Sequence, residues 1–573
     1  MHIEQTERIR VPSNTHPSQT LRPNHYLSDD EDDEDRFYSA QGTPNSRPQS
    51  IRASIQNFAG SYSRASILYM ADGISVQNGL SNVSDIPIIV QDDEEQLLFK
   101  PNDTNLENNK AYRTFSQQTD MMQHTGYSSF EPLSRHTTVA SIISQQLCLV
   151  PSGTDQKHSQ DEVCYVGKSS FVQSVFNAVN VLVGVGILAL PLSLRLAGWL
   201  YGSLIFFFCC FATNYTAKII IKCLNANNPD CGGTYGDMGQ VAFGDKGRTL
   251  ISIVFVVELI TIGVAMIVLL GDGIQSLFPE LDLLRTRLLS LCILTPTVFL
   301  PIKKLAYTSL IGIIACISLV IIVLYDGLSK EQRPGSLFDP MASRLFVDTE
   351  IIPNDISNLP LSFGLIMSGF AGHAVFPSIY RDMENPKQYN RMVDLTYQIT
   401  VAVYFLMAIV GYLMFGQEAL QEITQNLALI EEYSQFLNRF AIWLLVLTPI
   451  AKYGLMMQPL NMSWEIALFS SPKFESCLSD SYRKNAITIV GRSLVTAVLV
   501  YIALVFPGFD KVMSLLGALF SFTISIVFPL VCHLKLFKEK MSIPETLLNW
   551  FLLIVSILMA IFGTVWSIRP SEL

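Results

Sequence analysis

Beyond Lys168 the chain alternates long apolar runs with short polar connections, whereas the segment before it has few long apolar runs. The runs cover 170–194, 197–223, 250–271, 287–300, 305–325, 359–380, 392–415, 436–457, 486–506, 512–536 and 547–568. About 20 apolar residues cross a hydrocarbon layer of about 30 Å, so each run but the short fourth is long enough to span a bilayer as a helix. These runs mostly lack the polar face at a 3.6-residue period that a soluble helix presents. The pattern predicts an all-α polytopic membrane protein with eleven transmembrane helices.

Composition agrees. Hydrophobic residues make up 49% of the 573 residues and charged residues 15%, with a mean hydropathy of +0.33. These averages conceal two parts, an acidic, Ser-rich tail over 1–165 and a membrane domain over 166–573. The tail is rich in Ser, Asn, Gln, Thr and Asp, too polar to offset the entropy of ordering, and is expected to be disordered. Within it Ser28 precedes the acidic run from Asp29 to Asp35, which reads either as a kinase site or as a solvated acidic stretch. Asp93, Glu94 and Glu95 precede Leu97 and Leu98, the form of an acidic dileucine signal for a sorting adaptor, although such a grouping also arises by chance.

The net charge of −10 gives no basic footprint for nucleic acid, and the ten cysteines have neither metal-ligand spacing nor a paired framework. The first residues are polar, so targeting is expected to fall to the first apolar run. Alternate connections carry 16 basic residues against nine, which places the richer set and the N-terminus in the cytosol. An odd number of spans then puts the C-terminus on the far side of the membrane.

Two runs contain helix breakers at matching places. The first holds Gly184, Val185, Gly186 and Ile187 before Pro191, and the sixth holds Gly369, Phe370, Gly372 and His373 before Pro377. Pro191 lies five positions after Gly186, and Pro377 five positions after Gly372. Glycine and proline weaken a helix, and lipid offers no water to the backbone groups they free, so such segments belong where they line a cavity. Paired interruptions in corresponding helices point to a transporter built as a five-plus-five inverted repeat, with broken helices 1 and 6. Freed N–H groups suit a carboxylate and freed C=O groups an ammonium, and an amino acid carries both. The alternative is that the glycines only let helices pack closely.

The stretch from Gln173 to Pro191, followed by Ala197-Gly198-Trp199, resembles the first-helix signature of the amino acid/auxin permease family. The run Gly372-His373-Ala374-Val375-Phe376-Pro377 resembles its sixth-helix signature, and Gly233-Thr234-Tyr235-Gly236-Asp237 with Ala242-Phe243-Gly244 adds to the likeness. The resemblance runs from Lys168 to Ile568 and is strongest to fungal vacuolar amino acid transporters of the AVT type. It implies a LeuT-like fold of ten helices in two halves plus an eleventh, an amino acid substrate, and a proton as coupling ion with no other cofactor. It also implies a vacuolar membrane and import of neutral amino acids by proton antiport. Proton symport out of the vacuole, or an amino acid receptor that transports nothing, stays open.

Ionisable residues inside a membrane are costly and need a reason. Glu258, in the third run, is a candidate proton carrier or a carboxyl satisfied by a neighbouring helix. Lys452, in the eighth run, either supplies a fixed positive charge in place of a sodium ion, as related folds imply, or reaches to the interface. His373 either exchanges protons at the second break or caps exposed backbone. Asn177 and Asn180 are helix contacts or substrate ligands, and Asp272 reads as interfacial. No nucleotide loop, nucleophile elbow or metal motif is present in the sequence, so no enzyme and no bound metal are expected.

Overall fold

The computed structural model describes residues 168–226, 234–300, 302–338, 349–469, 481–506 and 508–569. The tail over 1–165, with Ser28, Asp93, Leu97 and Leu98, lies outside them, as does Gly233. Among the described residues every named element is a helix, and an isolated bridge joins Ser169 to Met383.

Helix α1 (Phe171–Leu182) leads through a 3-10 turn (Val185–Ala189) into α2 (Leu190–Leu224). Then come α3 (Tyr235–Phe243), α4 (Asp245–Leu277), α5 (Leu283–Leu294) with a 3-10 turn (Thr295–Phe299), and α6 (Ile302–Ser329). The second half opens with α7 (Leu359–Ser368), a 3-10 turn (His373–Val375) and α8 (Phe376–Asp382). It continues with α9 (Tyr389–Phe415), the short α10 (Ile423–Leu429), α11 (Gln435–Phe469) and α12 (Ser481–Val505). Helix α13 (Phe509–Leu515) runs through a π-helical stretch (Leu516–Val527) into α14 (Phe528–Leu536), and α15 (Ile543–Ile568) closes the order.

Local sequence explains where several helices begin. Ser170 accepts from the Gln173 N–H at 3.4 Å while the Gln173 side chain accepts from the Ser170 N–H at 2.9 Å, a reciprocal cap that starts α1. Thr234 and Asp237 start α3 in the same way. Pro191 and Pro377 stand in the first turns of α2 and α8, where a missing N–H costs nothing, so both broken spans restart at a proline.

Nine stretches among the described residues are long and apolar enough to cross a membrane, against the eleven expected. Two features account for the difference. Helix α2 fuses the end of the first run to the second across Gly198, leaving α1 with only 12 residues. Gly198 has φ 67°, and a Cβ there would lie 2.9 Å from the Ile351 carbonyl oxygen, so glycine permits a sharp bend against the 349–353 segment. Helix α5 has 12 residues before its 3-10 turn, shorter than a spanning helix needs.

The principal helix packings fall into two groups. Helix α2 packs on α7 and α9, and α9 on α1, whereas α11 packs on α4 and α6. Helix α11 is central, with 72% of its apolar window buried; α12 and α15, at 22% and 33%, are peripheral and present Tyr501 and Phe551 outward, as lipid-facing helices do. Against α7, the π-helical stretch comes within backbone contact, since a Cβ on Gly517 would lie 1.8 Å from the Gly364 carbonyl oxygen.

Candidate functional site

Both glycine-centred interruptions are real breaks, and they meet. Gly184, with extended backbone, ends the helical path of α1, and Gly372, with φ 113°, ends that of α7. A Cβ on Gly372 would be left-handed and 2.6 Å from the Val181 side chain, so glycine is required there on both counts. Gly186 lies directly against the other break: a Cβ on it would stand 3.0 Å from Gly369 Cα and 3.1 Å from Gly369 N. The two interruptions therefore touch backbone to backbone.

Tyr404 of α9 joins them. Its buried hydroxyl lies 2.5 Å from the Leu182 carbonyl oxygen and 2.9 Å from that of Gly369, one acceptor freed from each broken helix. The Gly184 N–H faces the same phenolic oxygen. Around this point Phe370 is fully buried, edge-on to Phe206 and Tyr404 and parallel to Tyr397. Asn177 and Asn180 are buried on α1.

A small cavity opens beside the first break. Gly184, Val185 and Ile187 line it with Leu269 of α4, Cys316 of α6 and Thr448 of α11. The centres of water molecules have about 20 Å³ of room in it, enough for one water by the usual measure of about 10–15 Å³ and too little for an amino acid.

The ionisable candidates lie at different places. His373 is buried, with Nε2 2.9 Å from the Thr213 carbonyl oxygen of α2 and 3.3 Å from the Tyr397 hydroxyl. The carbonyl can only accept, so Nε2 carries the hydrogen in that contact. Lys452 is buried too, and its stem lies against Gly312 of α6, one turn from cavity-lining Cys316. Glu258 is buried near Tyr235 of α3, 11 residues from Leu269, which puts it about 16 Å along α4 from the cavity.

Asp272, expected at the interface, is held in an ion pair. It accepts from Arg287 of α5 at 2.9 Å, and Arg287, fully buried, also donates to the Val268 carbonyl at 2.7 Å. A side chain on Gly271 would overlap the guanidinium at 1.8 Å, so the glycine beside Asp272 makes room for it. The sequence pattern puts Arg287 at the start of the fourth run and names no partner for it. Tyr404 was also missed, although Tyr397, Thr400 and Tyr404 form a polar line at helical spacing within an apolar run.

At each end of the breaks the chain is fastened. Ser169, just before α1, bonds to Asp382 at the end of α8 through backbone and side chain, and the Glu384 N–H donates to the Ser169 carbonyl at 2.9 Å. At the Gly198 end, the Trp199 and Leu200 N–H groups donate to Glu350 and Ile351, and Arg195 donates to the Ala419 carbonyl at 2.9 Å.

A multi-pass helical protein in which two interrupted helices abut, with a small cavity beside the first break, has the architecture of a membrane transporter. Residues 167–569 match the family described as transmembrane amino acid transporter protein, and the chain belongs to that family. It is 30% identical over 470 residues to the amino acid transporter AVT1D of Arabidopsis thaliana, covering 78% of each chain. It is 31% identical to AVT1B of the same plant, covering 69% of this chain and 70% of that one. Among solved structures, that of MhsT in complex with L-phenylalanine overlays with a TM-score of 0.44 at 12% identity, over 69% of this chain and 98% of that one.

Proposed function

We propose that this amino acid transporter carries neutral amino acids across a vacuolar membrane in exchange for protons, with its N-terminus in the cytosol and its C-terminus in the lumen. The observation that carries the reading is the junction of the two breaks at Tyr404, where a freed carbonyl from each interrupted helix and a backbone N–H from the first converge. A substrate's carboxylate would take the N–H groups at the start of one half-helix, and its ammonium the carbonyls at the end of another. The small cavity fits a carrier that must loosen one fastened end before substrate enters. Few acidic residues surround the breaks, which favours neutral over cationic side chains.

The test is uptake of radiolabelled neutral amino acids into sealed vesicles holding the purified full chain, with an acidic interior. Accumulation that collapses with the pH gradient supports antiport into the acidic compartment. A receptor would accumulate nothing, and a symporter would expel substrate from the same vesicles.

A further inference from the structure

Of the buried charged groups away from the two breaks, those around Arg287 are the most densely set. Arg287 of α5 and Glu422, the residue before α10, are both completely buried. Asp272 of α4 holds Arg287 from one side, and the carboxyl of Glu422 faces that of Asp272. Asp510 of α13 is also nearby, but its own neighbour Lys511 offsets its charge. Two carboxyls therefore share one guanidinium in a buried place.

Glu422 supplies the second observation. Among the described residues its Oε1 is buried with no hydrogen-bond donor, while the Thr424 hydroxyl stands 3.5 Å from its other oxygen. An ionised carboxylate facing another with no donor between them is strongly unfavourable, whereas a carboxylic acid donating to a carboxylate is a good hydrogen bond. Burial first, and then the Asp272 carboxylate, hold the Glu422 carboxyl well above its usual range, against the pull of Arg287.

We propose that the Asp272–Glu422 carboxyl pair, anchored by Arg287, is the proton-binding site that drives transport, and that α10 transmits its occupancy to the first break. This rests on the proton-coupled reading above. The path is short. Helix α10 begins at Ile423, next to Glu422, and packs against the 3-10 turn Val185–Ala189. Ile423 and Pro191 press on the same glycine of α9: a Cβ on Gly411 would lie 2.4 Å from Pro191 and 3.1 Å from Ile423. The strap before α10 is tied to α2 by Arg195 on the Ala419 carbonyl, and to α13 by Gln421, which accepts from the Phe509 N–H at 3.2 Å.

When Glu422 gives its proton to water, two adjacent carboxylates remain on one guanidinium, and their repulsion favours withdrawal of Glu422 with α10. That loosens the fastening over the first break. Reprotonation reverses it.

The experiment uses the full chain in vesicles with an imposed pH gradient, comparing wild type, Glu422→Gln and Asp272→Asn. One coupled proton supports about tenfold accumulation per pH unit. The ratio of gradient-driven accumulation to substrate counterflow is expected to drop to near unity in both variants. If wild type responds to the gradient and both variants respond equally well, the proposal is overturned while proton coupling stands. If wild type itself ignores the gradient, the proton-coupled reading fails and the proposal with it. Infrared spectra of wild type cover the case in which neither variant folds: a protonated carboxylic acid at neutral pH, sensitive to exchange of its proton, is required, and its absence refutes the site.

Discussion

Substituting alanine at two glycines two residues apart should have opposite consequences. On Gly186 the new methyl would meet Gly369 Cα at 3.0 Å, Gly369 N at 3.1 Å and the Ser368 carbonyl carbon at 3.3 Å. All three are backbone atoms, so no flexible side chain can turn away, and the second break must retreat by a few tenths of an ångström. Overpacking of this kind costs about 1–3 kcal/mol, about 5–150-fold in an equilibrium. On Gly184 the methyl finds only the Leu182 carbonyl oxygen, at 3.8 Å, and its extended backbone suits any residue. Stability should then change by less than about 0.5 kcal/mol. Gly184 lines the cavity, however, so under the proposed function its methyl would take room from an entering substrate. Thermal unfolding of the purified protein in detergent, measured beside uptake kinetics, separates the two. Gly186→Ala should lower the midpoint and the transport rate together, whereas Gly184→Ala should keep the midpoint and raise KM. Equal midpoints for both variants, or a Gly186→Ala protein of full stability and activity, would refute the claim that the breaks press directly on each other.

Tyr404→Phe leaves the Leu182 and Gly369 carbonyls short of a buried donor and should cost about 1–3 kcal/mol, read as a lower unfolding midpoint with slower uptake. Arg287→Leu strands the Asp272 carboxylate and should cost about 3–5 kcal/mol, partly recovered when Asp272→Asn is added; a double variant no better than the single would count against the pair. Because burial and Asp272 raise the Glu422 pKa, the folded protein binds that proton more tightly than the unfolded chain does. The resulting stability is complete below the ordinary carboxylate range and declines as pH rises through the raised value. Unfolding midpoints across pH should show this decline in wild type and a flatter profile in Glu422→Gln.

Much of the candidate site was legible before any coordinates. The equal spacing of Gly186 to Pro191 and Gly372 to Pro377 located both breaks, because a backbone that leaves the helix inside lipid must use residues that permit it. Glu258 and Lys452 stood out as charges in apolar runs, but a run does not say which direction a side chain faces. Lys452 turned out to be one turn from a cavity-lining residue and Glu258 about 16 Å along its helix from another.

The chain's own pattern thus determined the helical class, the approximate spans and the two interruptions, since each follows from the solvent and from local backbone chemistry. Tertiary structure alone decided that the breaks touch, that Tyr404 serves both, and that Asp272, Arg287 and Glu422 share one buried place. The residues of that last group are separated by up to 150 positions, Asp272 to Glu422, and reach one another only when α4, α5 and the strap before α10 pack together. Electrostatic partnership depends on distance in space, which hydropathy along a sequence does not encode.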